Sequence, residues 1–209
     1  MNLSYLLDRY EHLAEGAEKS FEKIKKEHGQ KVQCKVHCSD CCHAVFGLFL
    51  IEAVYLKMHF DRLGRSQRRS ILSRCHRADK ELFRIQKNLK VGNDSLEEGS
   101  DLLGKARVRC PLLNNMEECE LYPYRPITCR VYGIPTSIRG KARVCGKSGF
   151  ENGIVYTTFD LDNVYRELYQ LSRNFLEKAG SIDPRQAELL ISVSNALSTP
   201  LNDFIAGIP

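Results

Sequence analysis

The sequence predicts a mainly α-helical single domain with little β structure, on three observations. Its 209 residues are 43% hydrophobic and 27% charged, which is the ordinary composition of one globular domain. Apolar residues recur with a period near 3.6 at both ends of the chain, and sustained alternation typical of strands is missing. Prolines and cysteines concentrate in the middle. We therefore expect an N-terminal helix in residues 1–30, a loop-rich core with an inserted helical hairpin in 31–150, and C-terminal helices in 151–209.

The N-terminal segment predicts one long amphipathic helix that ends before Gly29. Its apolar positions fall on one stripe, which comprises Leu3, Leu6, Leu7, Tyr10, Leu13, Ala14, Ala17, Phe21 and Ile24. The opposite face mixes glutamates and lysines, which favours a solvent-exposed surface over a role at a membrane surface.

Two further helices are predicted between the cysteine-containing segments. Residues 48–63 are apolar on most sides and precede Gly64, so we expect a buried helix. Ser66 is the predicted N-cap of the next helix, whose core face comprises Ile71, Leu72, Cys75, Ala78, Leu82, Ile85 and Leu89. Cys75 lies on this apolar stripe, and we expect it to pack in the core as a small hydrophobe.

Irregular structure is predicted around the second cysteine segment. Glycine, asparagine and serine mark a loop in residues 91–104, and four prolines interrupt residues 107–159. A short strand is expected at residues 154–159. A stretch with so little core of its own is usually held together by disulfides or by a metal.

The C-terminal part predicts two helices. The first begins at Asp160 or Asp162 and ends before Gly180. The second begins at Asp183-Pro184, an N-cap followed by proline at the first helical position, and runs to about residue 197.

Nine cysteines without a tryptophan are the most unusual feature of the composition. Apart from Cys75, they form two groups, one before the helical hairpin and one after it: Cys34, Cys38, Cys41, Cys42, Cys110, Cys119, Cys129 and Cys145. The odd count and the lack of a signal-peptide pattern disfavour a disulfide framework and predict a cytoplasmic protein. The Cys38-Ser39-Asp40-Cys41 spacing also fits dithiol exchange, but the strand-before, helix-after context of that motif is missing.

Eight clustered thiols predict a metal centre, because tetrahedral zinc and cubane iron–sulfur clusters each take four thiolates. The adjacent Cys41 and Cys42 diverge and would rarely serve one ion together. We therefore expect two centres, one of which pairs a member of this couple with Cys34 or Cys38, and the alternative is one thiolate-bridged multinuclear centre. Cys110-Pro111 favours iron–sulfur chemistry. Two histidines flank the first group and could ligate or support a ligand, although each alone is more often a surface residue: His37 and His43.

The distribution of charge and of apolar residues indicates whether the protein binds nucleic acid or spans a membrane. Nine lysines and arginines lie between Lys105 and Lys147, against three glutamates. Cations stabilise thiolates, so this excess does not require a nucleic-acid partner, and the interleaved aromatic residues that would favour one are missing. The longest nearly apolar run, residues 44–56, is shorter than the about 20 residues of a membrane span.

Three motifs follow one another in a fixed order: Cys34-x3-Cys38-x2-Cys41-Cys42, then Cys110-Pro111-Leu112-Leu113, then Cys119-x-Leu121-Tyr122-x2-Arg125-Pro126-x2-Cys129-Arg130. In this order they resemble the YkgJ-type cysteine-cluster proteins, a family of zinc- or iron-chelating domains. The resemblance implies that the cysteines hold metal and that Arg125 and Arg130 donate hydrogen bonds to thiolates or cluster sulfides. The alternative is that these arginines pair with surface carboxylates. Cys145 lies outside the motifs and is included on the count of eight.

We therefore expect a helical domain wrapped around a loop-rich, cysteine-ligated metal centre that holds iron, as an iron–sulfur cluster, with zinc as the alternative. Iron with an open coordination position would make an enzyme or an electron carrier. Closed tetrahedral zinc would make a structural or interaction module. The sequence does not choose between these roles, and it identifies no substrate or protein partner.

Overall fold

The computed structural model describes residues 4–35, 37–92, 105–151, 153–181 and 183–206. Over these residues the fold is mainly helical with a small sheet, as predicted. The helices are α1 (Ser4–Glu27), α2 (Leu50–Asp61), α3 (Arg65–Gly92), α4 (Ile127–Val131), α5 (Leu161–Ala179), α6 (Val193–Ser198) and α7 (Leu201–Ala206). Leu3 of the predicted first helix, and residues 93–104 of the predicted loop, lie outside the described part.

α1 is the predicted amphipathic helix, and it ends two residues before Gly29. Six apolar side chains three or four positions apart form its buried stripe: Leu6, Tyr10, Ala14, Ala17, Phe21 and Ile24. This stripe packs against α2, α4 and α5. α1 therefore braces the short helix that carries Cys129.

α2 is the central helix, and most of its surface is buried, as its apolar sequence predicts. It packs against α1, α5, α6 and α7. Two charged side chains are buried on it, Glu52 and Lys57. Lys57 Nζ donates to the Leu197 carbonyl at 3.2 Å and to Asp61 at 2.9 Å, so its charge is paired at one end of the helix.

α3 begins at Arg65, two residues earlier than predicted, and Ser66 is not its N-cap. The Arg68 N–H donates to the Gly64 carbonyl at 3.0 Å, which makes Gly64 the capping position. Cys75 is 2% exposed and packs in the core, as predicted. Other residues of the predicted core face are less buried than expected: Leu72 is 39% exposed, and Leu82 and Ile85 are half-buried. The Leu89 side chain lies outside the description.

A three-stranded sheet in the order β2-β1-β3 lies beside α5. β1 (Thr136–Ile138) pairs antiparallel with β2 (Lys141–Arg143) and parallel with β3 (Phe159–Asp160). The hairpin between β1 and β2 turns at Arg139 and Gly140, with φ of 52° and 69°, as a two-residue turn of this hand requires. The sequence analysis did not predict this hairpin.

The strand predicted at residues 154–159 is wrong over most of its length. β3 begins only at Phe159, because β1 offers pairing partners to Phe159 and Asp160 alone. Ile154 and Val155 are 56% and 97% exposed, so their β-branched side chains bury little surface.

α5 starts and stops where its capping residues predict. The Asp160 side chain accepts from the Asn163 N–H, and Gly180 closes the helix with φ of 74°. The last predicted helix is instead divided. Pro184–Glu188 forms a 3-10 turn, and Ile191 then exchanges two backbone hydrogen bonds with Leu48, at 2.8 and 2.9 Å. Because of this pairing, the backbone at Ile191 is not helical. A new helix, α6, begins after its N-cap, Ser192.

Candidate metal centre

The first cysteine segment is held beside Cys110 by backbone pairing. A 3-10 turn, Asp40–His43, carries the adjacent cysteines. The Cys110 N–H donates to the Cys42 carbonyl at 2.7 Å, and the Val108 N–H donates to the His43 carbonyl at 2.9 Å. These hydrogen bonds fix the two sequence-distant cysteine motifs against each other.

A tight loop returns the chain from Cys110 to Cys119. Leu113 pairs with Cys119 as an antiparallel bridge, and the Glu120 N–H donates to the Leu112 carbonyl at 2.9 Å. The Asn114 side chain accepts from two N–H groups of this loop, at 2.8 and 3.0 Å, and stabilises the turn. Cys110 and Cys119 therefore lie at the two ends of one small hairpin.

Cys129 is positioned by α4, whose first turn is anchored to α2. Glu52 Oε1 accepts from the Ile127 N–H at 3.0 Å, and Oε2 accepts from the Phe49 N–H at 3.2 Å. Burial raises the pKa of the Glu52 carboxyl to about 7, and the two N–H donors oppose that rise. One buried carboxyl thus fastens the helix that carries Cys129.

Five cysteines line one cavity of about 70 Å³, together with apolar side chains that include Val45, Phe46 and Leu82. We call them the inner group: Cys41, Cys42, Cys110, Cys119 and Cys129. Burial raises the pKa of Cys110 to about 12 and of Cys119 to about 11, and it raises that of Cys129 well above its ordinary value. The charge of Cys41 raises each of these three pKa values further, so the five thiols act on one another electrostatically.

Cys41 and Cys42 are adjacent on the 3-10 turn, and the charge of Cys41 also raises the pKa of Cys34, so their division between two centres stays a prediction. Both residues line the cavity, and the Cys42 thiol donates to Cys41. This hydrogen bond lowers the pKa of Cys41 to about 7, and Arg125 also lowers it. Cys41 is therefore the thiol of the pair that ionises first.

Three cysteines accept a hydrogen bond from the backbone N–H two residues later. Leu112 donates to Cys110 and Leu121 donates to Cys119, which lowers both pKa values against the effect of burial. The Lys147 N–H lies 3.4 Å from Cys145 Sγ. Backbone donors aimed at sulfur stabilise the anionic thiolate, which is the form that binds metal.

The remaining three cysteines lie together next to Asp40, and we call these four residues the outer group: Cys34, Cys38, Cys145 and Asp40. Cys145 Sγ donates to Asp40 Oδ2 at 3.4 Å. Burial, followed by the charges of Cys38 and Cys145, raises the pKa of Cys34 to about 11. Burial also raises the pKa of Cys145.

Two backbone approaches assemble the outer group. The Gly149 N–H donates to the Lys31 carbonyl at 2.8 Å, which brings the Cys145 loop beside the Cys34 segment. Cys34 Sγ packs directly on Gly133, where any Cβ would collide with the sulfur. A glycine is therefore required at this position if Cys34 is to keep its place.

Arg125 and Arg130 both pair with Glu18 of α1. Arg125 Nη2 donates to the two carboxylate oxygens at 2.9 and 3.0 Å, and Arg130 Nη1 donates at 3.0 Å. This is the carboxylate pairing that the sequence analysis held as the alternative. Arg125 also lines the cavity and lowers the pKa of Cys41 and Cys119, so its support of a metal cluster stays a prediction.

The flanking histidines are engaged with backbone carbonyls. His37 Nδ1 donates to the Met116 carbonyl at 3.1 Å, and His43 Nδ1 donates to the Ser39 carbonyl at 3.0 Å. His37 has a φ of 65°, a left-handed conformation that folds the chain back between Cys34 and Cys38. A ligand role for either histidine would fall on Nε2 and stays a prediction.

All nine cysteines are free thiols. In the described part of the chain, no three His, Cys, Asp or Glu side chains are arranged to hold a metal ion as they stand. The donor set nevertheless fits a soft or borderline metal, because eight thiols gather in two groups and three of them receive N–H donors. Binding would require the thiols to lose protons and turn toward the ion.

The sequence analysis missed three residues that shape these groups. Two of them could have been noticed in the sequence, because Asp40 is a carboxylate between Cys38 and Cys41 and Glu52 is a charged residue within an apolar run. Gly133 gave no signal, because only the approach of Cys34 shows why it is glycine.

Comparison of the chain with protein-family models, with curated proteins and with solved structures finds no significant match. The resemblance to the YkgJ-type cysteine-cluster proteins therefore stays a prediction from the motifs. Each helix in the described part of the chain is too short or too polar to span a lipid bilayer.

Proposed function

We propose that this protein binds iron through its cysteine cluster, as an iron–sulfur cluster held by the inner group. The observation that carries the proposal is the convergence of five free thiols, from three separate segments, on one cavity. A cubane cluster takes four thiolates, so the inner group has enough ligands for one. When bound, such a cluster supplies one-electron redox chemistry.

The surroundings of the inner group suit an anionic thiolate site. Arg125 lowers the pKa of Cys41 and Cys119, and the N–H groups of Leu112 and Leu121 add donors to sulfur. The cavity is lined mainly by apolar side chains, and an apolar setting strengthens electrostatic interactions. Glu52 holds the helix of Cys129 in place.

Zinc is the second candidate, and it would make the protein a structural or interaction module without catalysis. The observation that favours it is the scarcity of regular structure between α3 and α5 in the described residues, where the strands are two or three residues long. A bound ion would supply the folding free energy that such a segment lacks.

The test is metal and sulfide analysis on protein purified without oxygen and without a metal-chelating tag. We expect iron with acid-labile sulfide and a broad visible absorption band. Cys110→Ser and Cys129→Ser should remove both. Cys75→Ala is the matched control, since Cys75 is a buried cysteine outside both groups, and it should retain them. A colourless protein with zinc alone would favour the second candidate, and protein that takes up neither metal would overturn both.

A further inference from the structure

We infer that the outer group, Cys34, Cys38, Cys145 and Asp40, is a separate site for one zinc ion. The inference rests on the proposed function in one respect, namely that thiols of this chain bind metal. It adds a second ion, a carboxylate ligand and an assignment of cysteines between the two sites.

The geometry at Asp40 matches one edge of a tetrahedral zinc site. Cys145 Sγ and Asp40 Oδ2 are 3.4 Å apart and share the thiol proton. In tetrahedral zinc with Zn–S of about 2.3 Å and Zn–O of about 2.0 Å, sulfur and oxygen are about 3.5 Å apart. Zinc can therefore take the place of the thiol proton with little movement of either donor atom.

Two cysteines complete the ligand set from one turn. The Cys38 N–H donates to the Lys35 carbonyl at 2.9 Å, and the left-handed His37 folds the chain so that Cys34 and Cys38 lie near each other. The Gly149 to Lys31 hydrogen bond brings Cys145 to the same place. Three turns thus bring these four residues near one another, and the thiols of Cys34 and Cys38 would turn toward the ion when it binds.

Charge around the outer group is balanced for zinc. Three thiolates and one carboxylate carry four negative charges, and zinc neutralises two of them. Arg107 and Lys147 contact Asp40 Oδ1, at 2.6 and 3.5 Å, and offset the remainder. Both cations contact Oδ1, whereas Oδ2 is the atom beside Cys145 Sγ. The Tyr132 side chain also hydrogen-bonds this carboxyl.

The ligand chemistry separates the two groups. Zinc accepts mixed sulfur and carboxylate ligands, whereas iron–sulfur clusters are held mainly by thiolates. Asp40 belongs to the outer group, and the inner group is made of thiols alone. We therefore assign zinc to the outer group and iron to the inner group.

The experiment measures zinc and iron per chain on protein purified without oxygen and then equilibrated with buffered zinc. Cys145→Ser and Asp40→Asn should weaken zinc binding about tenfold or more and leave iron and sulfide unchanged. Cys110→Ser should do the reverse. Circular dichroism checks that each variant keeps its helices.

Cobalt(II) in place of zinc gives a second measurement that does not depend on affinity. The thiolate-to-cobalt absorption should correspond to three sulfur ligands, and Cys34→Ser should reduce it by about one third because intensity scales with the number of thiolates. Asp40→Asn should leave this intensity unchanged.

The outcomes separate the two proposals. Zinc lost in Cys145→Ser from a protein that never takes up iron would support the outer site and overturn the iron proposal. A cobalt spectrum with four thiolates would mean that Cys41, not Asp40, is the fourth ligand, and would overturn this inference. Zinc binding unaffected by Cys145→Ser would also overturn it.

Discussion

Glu52 is a buried carboxyl on which the position of Cys129 depends. It is 3% exposed and accepts hydrogen bonds from the backbone of two segments, at Phe49 and Ile127. A buried group with two donors fixes geometry, but it binds a proton more tightly in the folded state than in the unfolded chain. Its pKa of about 7 therefore makes stability depend on pH.

We predict that Glu52 lowers the stability of the metal-free protein as pH rises from about 4.5 to about 7. The folded pKa of about 7 lies above the unfolded value of 4.5, so the stabilising contribution is complete below pH 4.5 and lost as pH rises through 7. The full change is about 3 kcal/mol. Urea unfolding at several pH values should show a shallower pH dependence for Glu52→Gln, and equal slopes for both proteins would contradict the prediction.

Gly133 is the second residue on which the position of a cysteine depends, because it contacts the sulfur of Cys34. We predict that Gly133→Ala displaces Cys34 and weakens zinc binding about tenfold, with iron content unchanged. Gly16→Ala is the matched control, since a Cβ there meets nothing within 4 Å and α1 gains about 1 kcal/mol from the better helix former. Metal titration of both variants checks the pair, and unchanged zinc affinity in Gly133→Ala would remove Cys34 from the ligand set.

At the scale of elements, most helix ends follow local signals and one helix does not. α5 lies between its capping residues, Asp160 and Gly180, which form hydrogen bonds with its terminal backbone groups. The last predicted helix is divided by the pairing of Ile191 with Leu48, a contact between segments far apart in the sequence. Local propensity therefore determines an element only where no distant partner competes for its backbone.

We predict that Asp160→Ala lowers the free energy of unfolding by about 1 kcal/mol, because the Asn163 N–H then loses its capping acceptor. Asp160→Asn should have a smaller effect, since its side-chain oxygen can still accept. Urea denaturation of the three proteins measures the difference. A loss in Asp160→Asn as large as in Asp160→Ala would show that the cap is not the cause.

At the scale of the whole molecule, stability is unevenly distributed. α1, α2 and α5 bury most of the apolar core, whereas the described part of residues 105–160 consists of short strands, turns and a five-residue helix. Four of the nine cysteines lie in this second part, which also contacts Cys42 through a backbone hydrogen bond and Asp40 through two ion pairs. A bound metal would stabilise the loops more than the helices.

We therefore predict that metal removal unfolds the loops before the helices. Hydrogen exchange after chelation should rise in residues 107–151 and stay slow in α2 and α5, and far-ultraviolet circular dichroism should keep most of its helical signal. Equal loss of protection in both regions would mean that one cooperative unit includes the metal centre. Protection unaffected by chelation would remove the structural role of the metal.

The sequence by itself determined the helical class, the main helices and the candidate thiols. Periodicity, capping residues and the Cys spacing are local properties, and α1, α2 and α5 follow them closely. Cys75 was separated from the other cysteines by its place on an apolar stripe, and it is buried.

Tertiary structure alone decided how the cysteines are divided. Cys145 joins Cys34 and Cys38 through the pairing of Gly149 with Lys31, and Cys41 and Cys42 stay together in one cavity. The roles of Asp40, Glu52 and Gly133 likewise depend on partners 75 to 105 positions away, or on one close backbone approach. Spacing along a chain reports only what neighbours can do, because the distance between two donor atoms is set by how the whole chain packs.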